Sequence, residues 1–341
     1  MSTPPTRIAS IPPPFPDDPY LTLFYRALEG HGFALEADRR RYLQADAFHF
    51  HWLHLFYDRP GQVVALVRWL WMALRLIGLR ILGYRLIWTV HNLESHERKH
   101  PALDRASGWL MARLAHAVLA HGEAGARAVA ERFGRPDVVR LPLFSQGGHY
   151  PDTVDRAAAR DRLGIPPDAF AIVALGKLRA YKGADRLVED FRARARESDR
   201  LLVAGRPETP AIEAHLEALA ADPRIQLHAR FVPDAEVQLY YRAADVAVFP
   251  YRDILTAGAV GVALAFGVPV VAPRRGSVPE AVGDGGVLYD PDDADALWRA
   301  IETVRAGDRA ALSAAARARS ADLSFEHVAQ VAAVALREKL R

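Results

Sequence analysis

Apolar positions in this chain fall into two kinds of run. Short blocks rich in β-branched residues alternate with longer stretches of helical spacing, a pattern that predicts repeated strand–helix–strand units. The clearest unit lies between Asp245 and Gly276. Asp245–Phe249 is a short apolar run, and Pro250–Thr256 breaks the periodicity. Gly258–Phe266 is small and apolar, as in a tightly buried helix; Gly267 stops it, and Val268–Ala272 is a second strand. Two such runs around a helix make a parallel βαβ unit with a right-handed crossover. Ligands of open parallel sheets sit beyond the carboxyl ends of the strands, and the loop Pro250–Ala257 lies at such an end. It leads into Thr256, Ala257, Gly258 and Ala259, a helix N-terminus whose unpaired N–H groups and dipole suit a phosphate. A buried structural helix behind a polar loop gives the same pattern.

The rest of the chain repeats this logic. Arg7–Ile11 reads as a strand, followed by a proline-rich loop holding Asp17 and Asp18, then a helix over Tyr20–His31. Ala47–Leu55 places His49 and His51 on one side of a strand. Val63–Leu82 is the most apolar stretch, long enough to span a bilayer, but Arg68, Arg75 and Arg80 argue against spanning. Two readings fit it: a core helix, and an interfacial helix docked on an anionic membrane. Tyr84–Val90 is a buried strand that ends in His91, Glu94 and Glu97, where titratable groups belong in a functional cleft. Residues 106–118, 123–133, 156–163, 234–241, 291–305, 308–319 and 325–339 read as helices. Ala117–His121, Val138–Leu143, Leu201–Gly205 and Arg224–Leu227 read as strands. Ala169–Leu175 is a strand that runs into Gly176, Lys177, Arg179, Lys182 and Gly183. The glycines allow a tight strand-to-helix turn, and its three cations can clamp a diphosphate.

These segments resemble the GT-B glycosyltransferases of the family-4-like group. Ala244-Asp245-Val246, Phe249-Pro250 and Gly267-Val268-Pro269-Val270-Val271-Ala272 match its nucleotide-sugar unit. Gly176 through Gly183 is similar to its G-R-x-x-x-x-K-G loop, with Lys177 in the arginine's place and Lys182 as the lysine. Thr89-Val90-His91-Asn92 matches its sugar-facing histidine segment, and Phe231-Val232 stands at its nucleobase turn. Two glutamates of retaining members are replaced by Ile254 and Val262. The resemblance implies an α/β fold of GT-B architecture, with two doubly wound Rossmann-like domains facing a cleft. Residues 1–150 would bind the acceptor, with Asp17, Asp18, His49 and His51 in its cleft. Residues 151–341 would bind the nucleotide sugar, with the last helix crossing back. Donor contacts would come from Gly176, Lys177, Arg179, Lys182, Phe231, Val232, Thr256, Ala257, Gly258 and Ala259. Members with a similar loop and no glutamate pair resemble bacterial β-mannosyltransferases and glucuronosyltransferases of polysaccharide assembly.

Composition narrows the classes further. The 341 residues suit two domains, and the net charge of +3 argues against a dedicated nucleic-acid binder. The absence of cysteine excludes disulfides and thiolate metal sites and fits a reducing compartment. No apolar signal segment opens the chain. No metal site and no cofactor are expected, the nucleotide sugar being a co-substrate. The expected activity is inverting transfer of mannose from GDP-mannose to a saccharide or lipid-linked acceptor. Glu97 would be the base, His91 the sugar contact and Glu94 a second candidate acid. The expected location is the cytoplasm, with peripheral contact at the inner face of the cell membrane. Transfer from a UDP-sugar, a nucleotide-sugar epimerase and a non-catalytic sugar-nucleotide-binding subunit remain as other readings.

Overall fold

The computed structural model describes residues 4–15, 19–95, 99–256 and 258–341. They divide into two compact units, one of residues up to Leu143 plus Phe325–Arg341, the other Phe144–Ser324. The sequence reading places that first break at 150/151.

The first unit is built on six parallel strands: β1 (Thr6–Ile11), β2 (Phe33–Glu36), β3 (Ala47–Phe50), β4 (Arg85–Val90), β5 (Ala117–His121) and β6 (Val139–Leu141). Their order is β2-β1-β3-β4-β5-β6, so the winding reverses between β1 and β3. Strands buried on both faces read as continuous apolar runs, which is why Leu86–Val90 and Ala117–Ala120 are almost wholly inaccessible. The helix Phe325–Lys339 packs beside the helix Pro19–Glu29 and is part of this unit.

Three expectations differ here. β2 is only four residues long, too short for a periodicity to announce it. The expected strand Ala47–Leu55 ends at Phe50, and Leu53–Phe56 forms a single 3₁₀ turn. The helix expected at 106–118 runs from Pro101 to Leu114, opened by a proline at its first position, where a missing N–H costs nothing.

The helix Gln62–Ile81 carries features of both its expected readings. Ala65, Trp69, Met72, Ala73 and Leu76 recur at helical spacing and form the stripe that packs inward. Much of the remaining surface is apolar and exposed: Val63, Trp71, Leu74 and Ile81 are 61–79% exposed. Arg68, Arg75 and Arg80 interrupt it. This is the one described helix long and apolar enough to cross a membrane.

The second unit has the order β12-β11-β10-β7-β8-β9, in which three strands rather than two precede the reversal. The strands are β7 (Ala171–Leu175), β8 (Arg200–Ala204), β9 (Ile225–His228), β10 (Val246–Val248), β11 (Val270–Pro273) and β12 (Gly286–Tyr289). All neighbours are parallel, and the winding reverses between β7 and β10. Phe191, Leu201, Val246 and Ile301 share its core. Asp245 ties the centre together. Its carboxylate accepts from Arg156 (2.7 Å), Arg160 (2.8 Å) and the Ala171 amide (2.9 Å), so a nearly buried charge is paired on both oxygens.

Candidate functional site

Each sheet has one reversal point, and the chemistry-bearing residues gather at both. In the second unit, the chain leaves β7 through Gly176, exposed Lys177 and buried Leu178, then makes a single turn over Ala180–Lys182. Gly183 follows at φ +69°, and a Cβ there would lie 2.1 Å from the Pro250 carbonyl oxygen. Only glycine lets this turn approach the loop after β10. Gly205, after β8, is equally constrained: at φ +149° its Cβ would lie 1.8 Å from the Gly176 oxygen.

The loop after β10 is fastened to this turn. The Arg252 amide donates to the Tyr181 oxygen (2.7 Å), and its guanidinium reaches the Ala180 oxygen (2.9 Å) and Asp185 (2.7 Å). The Leu255 carbonyl accepts from the Ser277 amide (2.9 Å) and hydroxyl (2.7 Å). Thr256 therefore arrives at a fixed place before the helix Gly258–Ala265. Gly258 and Gly261 of that helix lie against Phe144 and Ser145. A small pocket between the two loops is lined by Gly176, Lys177, Lys182, Phe249, Pro250 and Tyr251 among others.

Lys182 is the chemical centre of this pocket. Its Nζ lies 5.9 Å from the centre of the Tyr251 ring. Burial, then the charges of Arg179 and Lys177, pull its ammonium down to about 8. A cation held at such cost is poised to gain from an anion. Arg179 pairs with Glu208 at 3.0 Å, so its guanidinium is already partly committed. Phe231 is 46% exposed beyond β9, with the Arg206 guanidinium 5.2 Å from its ring centre. Val232 follows it.

In the first unit, His49 and His51 extend from β3 at the reversal point. They are 0% and 2% exposed, and His51 also lines a small pocket with Leu53, Trp88 and Asn92. The Tyr25 hydroxyl explains their burial, bonding His49 Nδ1 (2.9 Å) and His51 Nε2 (3.0 Å). His49 Nε2 meets Thr89 Oγ1 (2.8 Å), and His51 Nδ1 meets His91 Nε2 (3.1 Å). Trp52 stacks on His91 at 4.6 Å, and Tyr20 meets its edge at 4.8 Å. Burial holds all four imidazoles below the usual histidine range, His49 at about 3 and His121 at about 4.

The loop after His91 is anchored by Asp104, which accepts from Tyr57 Oη (2.7 Å), the Ser95 amide (2.9 Å) and the Ser95 hydroxyl (2.7 Å). Glu94 pairs with Arg105 (3.2 Å) and Arg132. Asp17, Asp18, Glu97 and Ala257 lie outside the described residues. Among the described residues, no cluster of three or more His, Asp or Glu side chains is arranged to hold a metal.

Sequence reasoning missed Tyr25, His121 and Asp104. His121 had a signal, since it ends a strand as His91 does. Tyr25 and Asp104 sit inside helices, and nothing local distinguishes them.

Comparison with known proteins fits this arrangement. The chain superposes on sucrose-phosphate synthase from Thermosynechococcus elongatus with a TM-score of 0.76 at 18% identity, covering 98% of each chain. It superposes on Anabaena Alr3699/HepE, solved with UDP and glucose, at 0.74 and 17%, covering 98% of this chain and all of the other. The fold is thus GT-B, two parallel six-stranded α/β units. Residues 169–306 match the family Glycosyl transferases group 1. A GDP-mannose:glycolipid 4-beta-D-mannosyltransferase of Xanthomonas campestris pv. campestris is 29% identical over 86% of this chain and 81% of its own. A D-inositol 3-phosphate glycosyltransferase of Geodermatophilus obscurus is 32% identical over 84% of this chain and 66% of its own. The second unit is a glycosyl transferases group 1 domain, and the protein is a glycosyltransferase, more narrowly a hexosyltransferase.

Proposed function

We propose that the protein transfers mannose from GDP-mannose to a glycolipid with inversion, giving a β-linkage. The observation that carries the donor half is Lys182, a desolvated ammonium at the β7/β10 reversal point, beside a helix N-terminus. A diphosphate leaving group bears charge that such a cation stabilises as it departs. Lys177 and Thr256 would complete the diphosphate contacts, with the amides of Gly258 and Ala259. Phe231 and Val232 would flank the base. Mannose and the glycolipid are suggested by the Xanthomonas relative. The nucleotide sugar serves as co-substrate, with no separate cofactor.

Inversion follows from what stands at the β10 loop. Ile254 and Val262 supply no carboxylate, so the transfer is read as a single displacement with one base near the acceptor hydroxyl. Glu94 is paired with two guanidinium groups, which weakens it as a proton acceptor. The base is then Glu97, with His91 holding a sugar oxygen.

The exposed face of Gln62–Ile81 supports peripheral contact with an anionic membrane, where a glycolipid would be met. From Gly61 to Leu93 the chain carries four arginines and no acidic residue. Trp109, 52% exposed, lies on the neighbouring helix with the Arg113 guanidinium 3.5 Å from its ring centre. Apolar insertion combined with about 1 kcal/mol per basic residue is the usual basis of such binding.

One experiment tests these parts together. Purified protein is incubated with GDP-mannose and vesicles that carry anionic lipid and a polyprenyl-linked saccharide. The expected result is flotation with the vesicles and a product whose anomeric carbon–proton coupling is β. Hydrolysis or epimerisation of donor alone, or an α-linked product, would overturn the reading.

A further inference from the structure

The carboxyl ends of β7, β8 and β9 stand in a row, because these strands are neighbours in one parallel sheet. The cation turn of Lys177 and Lys182 follows β7, Arg206 follows β8, and Phe231 follows β9. Two strand spacings separate the first from the last, about 10 Å. A ribose and its phosphates bridge such a span. A diphosphate held at the cation turn therefore brings its base to the far end of the row.

Backbone bonds fix that far end. The Leu178 amide donates to the Arg206 oxygen (2.9 Å) and the Glu208 amide to the Leu178 oxygen (3.0 Å), which ties the loop after β8 to the cation turn. The Gly205 amide donates to the His228 oxygen (3.1 Å), joining the ends of β8 and β9. Beyond β9 the Arg230 amide turns back to the same oxygen (2.8 Å), and its guanidinium donates to the Phe231 oxygen (3.1 Å) and pairs with Glu236. The His228 ring is taken by Tyr240 Oη at 2.7 Å. The Phe231 ring is left half-exposed, with the Arg206 guanidinium 5.2 Å from its centre.

Arg206 differs from the other guanidinium groups nearby. Arg179 is paired with Glu208 and Arg230 with Glu236, but among the described residues Arg206 has no ion pair or side-chain hydrogen bond. It sits over the Phe231 ring. Any nucleobase can stack on such a ring, which gives affinity without choice of base. A guanidinium that reads a base edge lies in the plane of the base, so the same ring carries both. Guanine offers two adjacent acceptors, N7 and O6, at the spacing of the arginine fork. Uracil O4 is flanked by a C–H and an N–H, and adenine sets an amino group beside N7, so neither satisfies the fork.

We propose that Arg206 is the specificity-determining residue of the donor site, its guanidinium donating to N7 and O6 of guanine while the base stacks on Phe231. This rests on the reading of the donor as GDP-mannose and deepens it by naming the side chain that selects the base. The cation turn holds the diphosphates of GDP and UDP alike, so the choice between them falls to Arg206.

Calorimetry with GDP, UDP and 7-deaza-GDP, which replaces N7 by C–H and keeps O6, tests the assignment. The wild type is expected to prefer GDP to UDP about 10- to 100-fold, the discrimination of one bidentate pair. It should bind 7-deaza-GDP about tenfold more weakly than GDP, the loss of one charged hydrogen bond. Arg206 is exposed and makes no ion pair among the described residues, so Arg206→Ala should keep the wild-type Tm. That variant should bind all three nucleotides within about threefold of one another. Phe231→Ala should weaken GDP and UDP together. Equal losses of GDP and UDP in Arg206→Ala would put the guanidinium on the diphosphate and overturn the proposal. Equal affinity of the wild type for GDP and 7-deaza-GDP, which needs no variant to fold, would also overturn it, as would GDP affinity unmoved by Phe231→Ala. A wild type that prefers UDP, or binds neither, would instead overturn the GDP-mannose reading. A preference for GDP that survives Arg206→Ala leaves that reading standing and removes this one.

Discussion

The two reversal points share a geometry and hold opposite chemistry. At β7/β10 the polar groups are cations at the end of a tight turn: exposed Lys177, ion-paired Arg179 and desolvated Lys182. At β1/β3 they are neutral imidazoles and hydroxyls that satisfy one another in a closed chain. The first arrangement stores unfavourable electrostatics that an anion would relieve. The second stores none while it stays neutral. The same reversal of winding thus leaves polar groups wanting in one unit and pairs them with one another in the other.

Acid should separate the two units most strongly. Histidine in the unfolded chain takes a proton near pH 6.5, whereas His49, His51, His91 and His121 resist it in the folded state. Below pH 6.5 the unfolded state binds more protons, so stability falls with falling pH. For four such groups the loss between pH 7 and 5.5 is about 5 kcal/mol, a large part of a typical domain's stability. In the second unit His228 is held down in this way, by burial first. Hydrogen exchange read by mass spectrometry between pH 7 and 5 should show the first unit opening before the second. Equal loss of protection in both would mean that the imidazoles are not held neutral.

The next contrast is a single substitution. Lys182→Met should weaken GDP binding by about 2–3 kcal/mol, roughly 30–150-fold, if the ammonium meets the diphosphate. Without ligand it should raise the Tm, because it removes a desolvated charge from beside Arg179 and Lys177. Calorimetry and thermal melting check the two signs. Unchanged GDP affinity would remove Lys182 from the donor site, and a lowered Tm would mean that its charge is well compensated.

Much of this contrast was legible in the sequence for the second unit and little for the first. The turn from Gly176 to Gly183 works through local covalent geometry: glycines at positive φ and cations a few residues apart, all visible in one short window. Apart from β2, the strands of both sheets were legible for a similar reason, since burial on two faces demands apolar runs. The chain through Tyr25 is assembled from residues 24–40 positions apart and exists only once β3 and β4 are paired. The helix Gln62–Ile81 shows the limit from the other side. Its composition fits a core helix and a surface one equally, and the structure buries one stripe of it while leaving another exposed.

The smallest expected effect is the pH dependence of donor binding, and its sign is fixed by Lys182. Folding lowers its ammonium from 10.5 to about 8, through burial first and then Arg179 and Lys177, with Glu208 opposing. At pH 7 the group is protonated and offers its charge to the diphosphate. Above pH 8 the free protein is mostly neutral at this position, so binding must first take up a proton. If only the ammonium form binds, affinity falls by a factor approaching ten per pH unit above 8, and about tenfold in all between pH 7 and 9, or ~1.4 kcal/mol. The imidazole chain should be silent across this range, since its groups are neutral throughout. Calorimetry of GDP binding in buffers of different ionisation enthalpy measures the proton uptake itself. It should be near zero at pH 7, about half a proton at pH 8, and absent at every pH in Lys182→Met. Affinity that stays flat from pH 7 to 9, or proton uptake that survives the substitution, would place the titrating cation elsewhere, and the contrast between the two reversal points would rest on geometry alone.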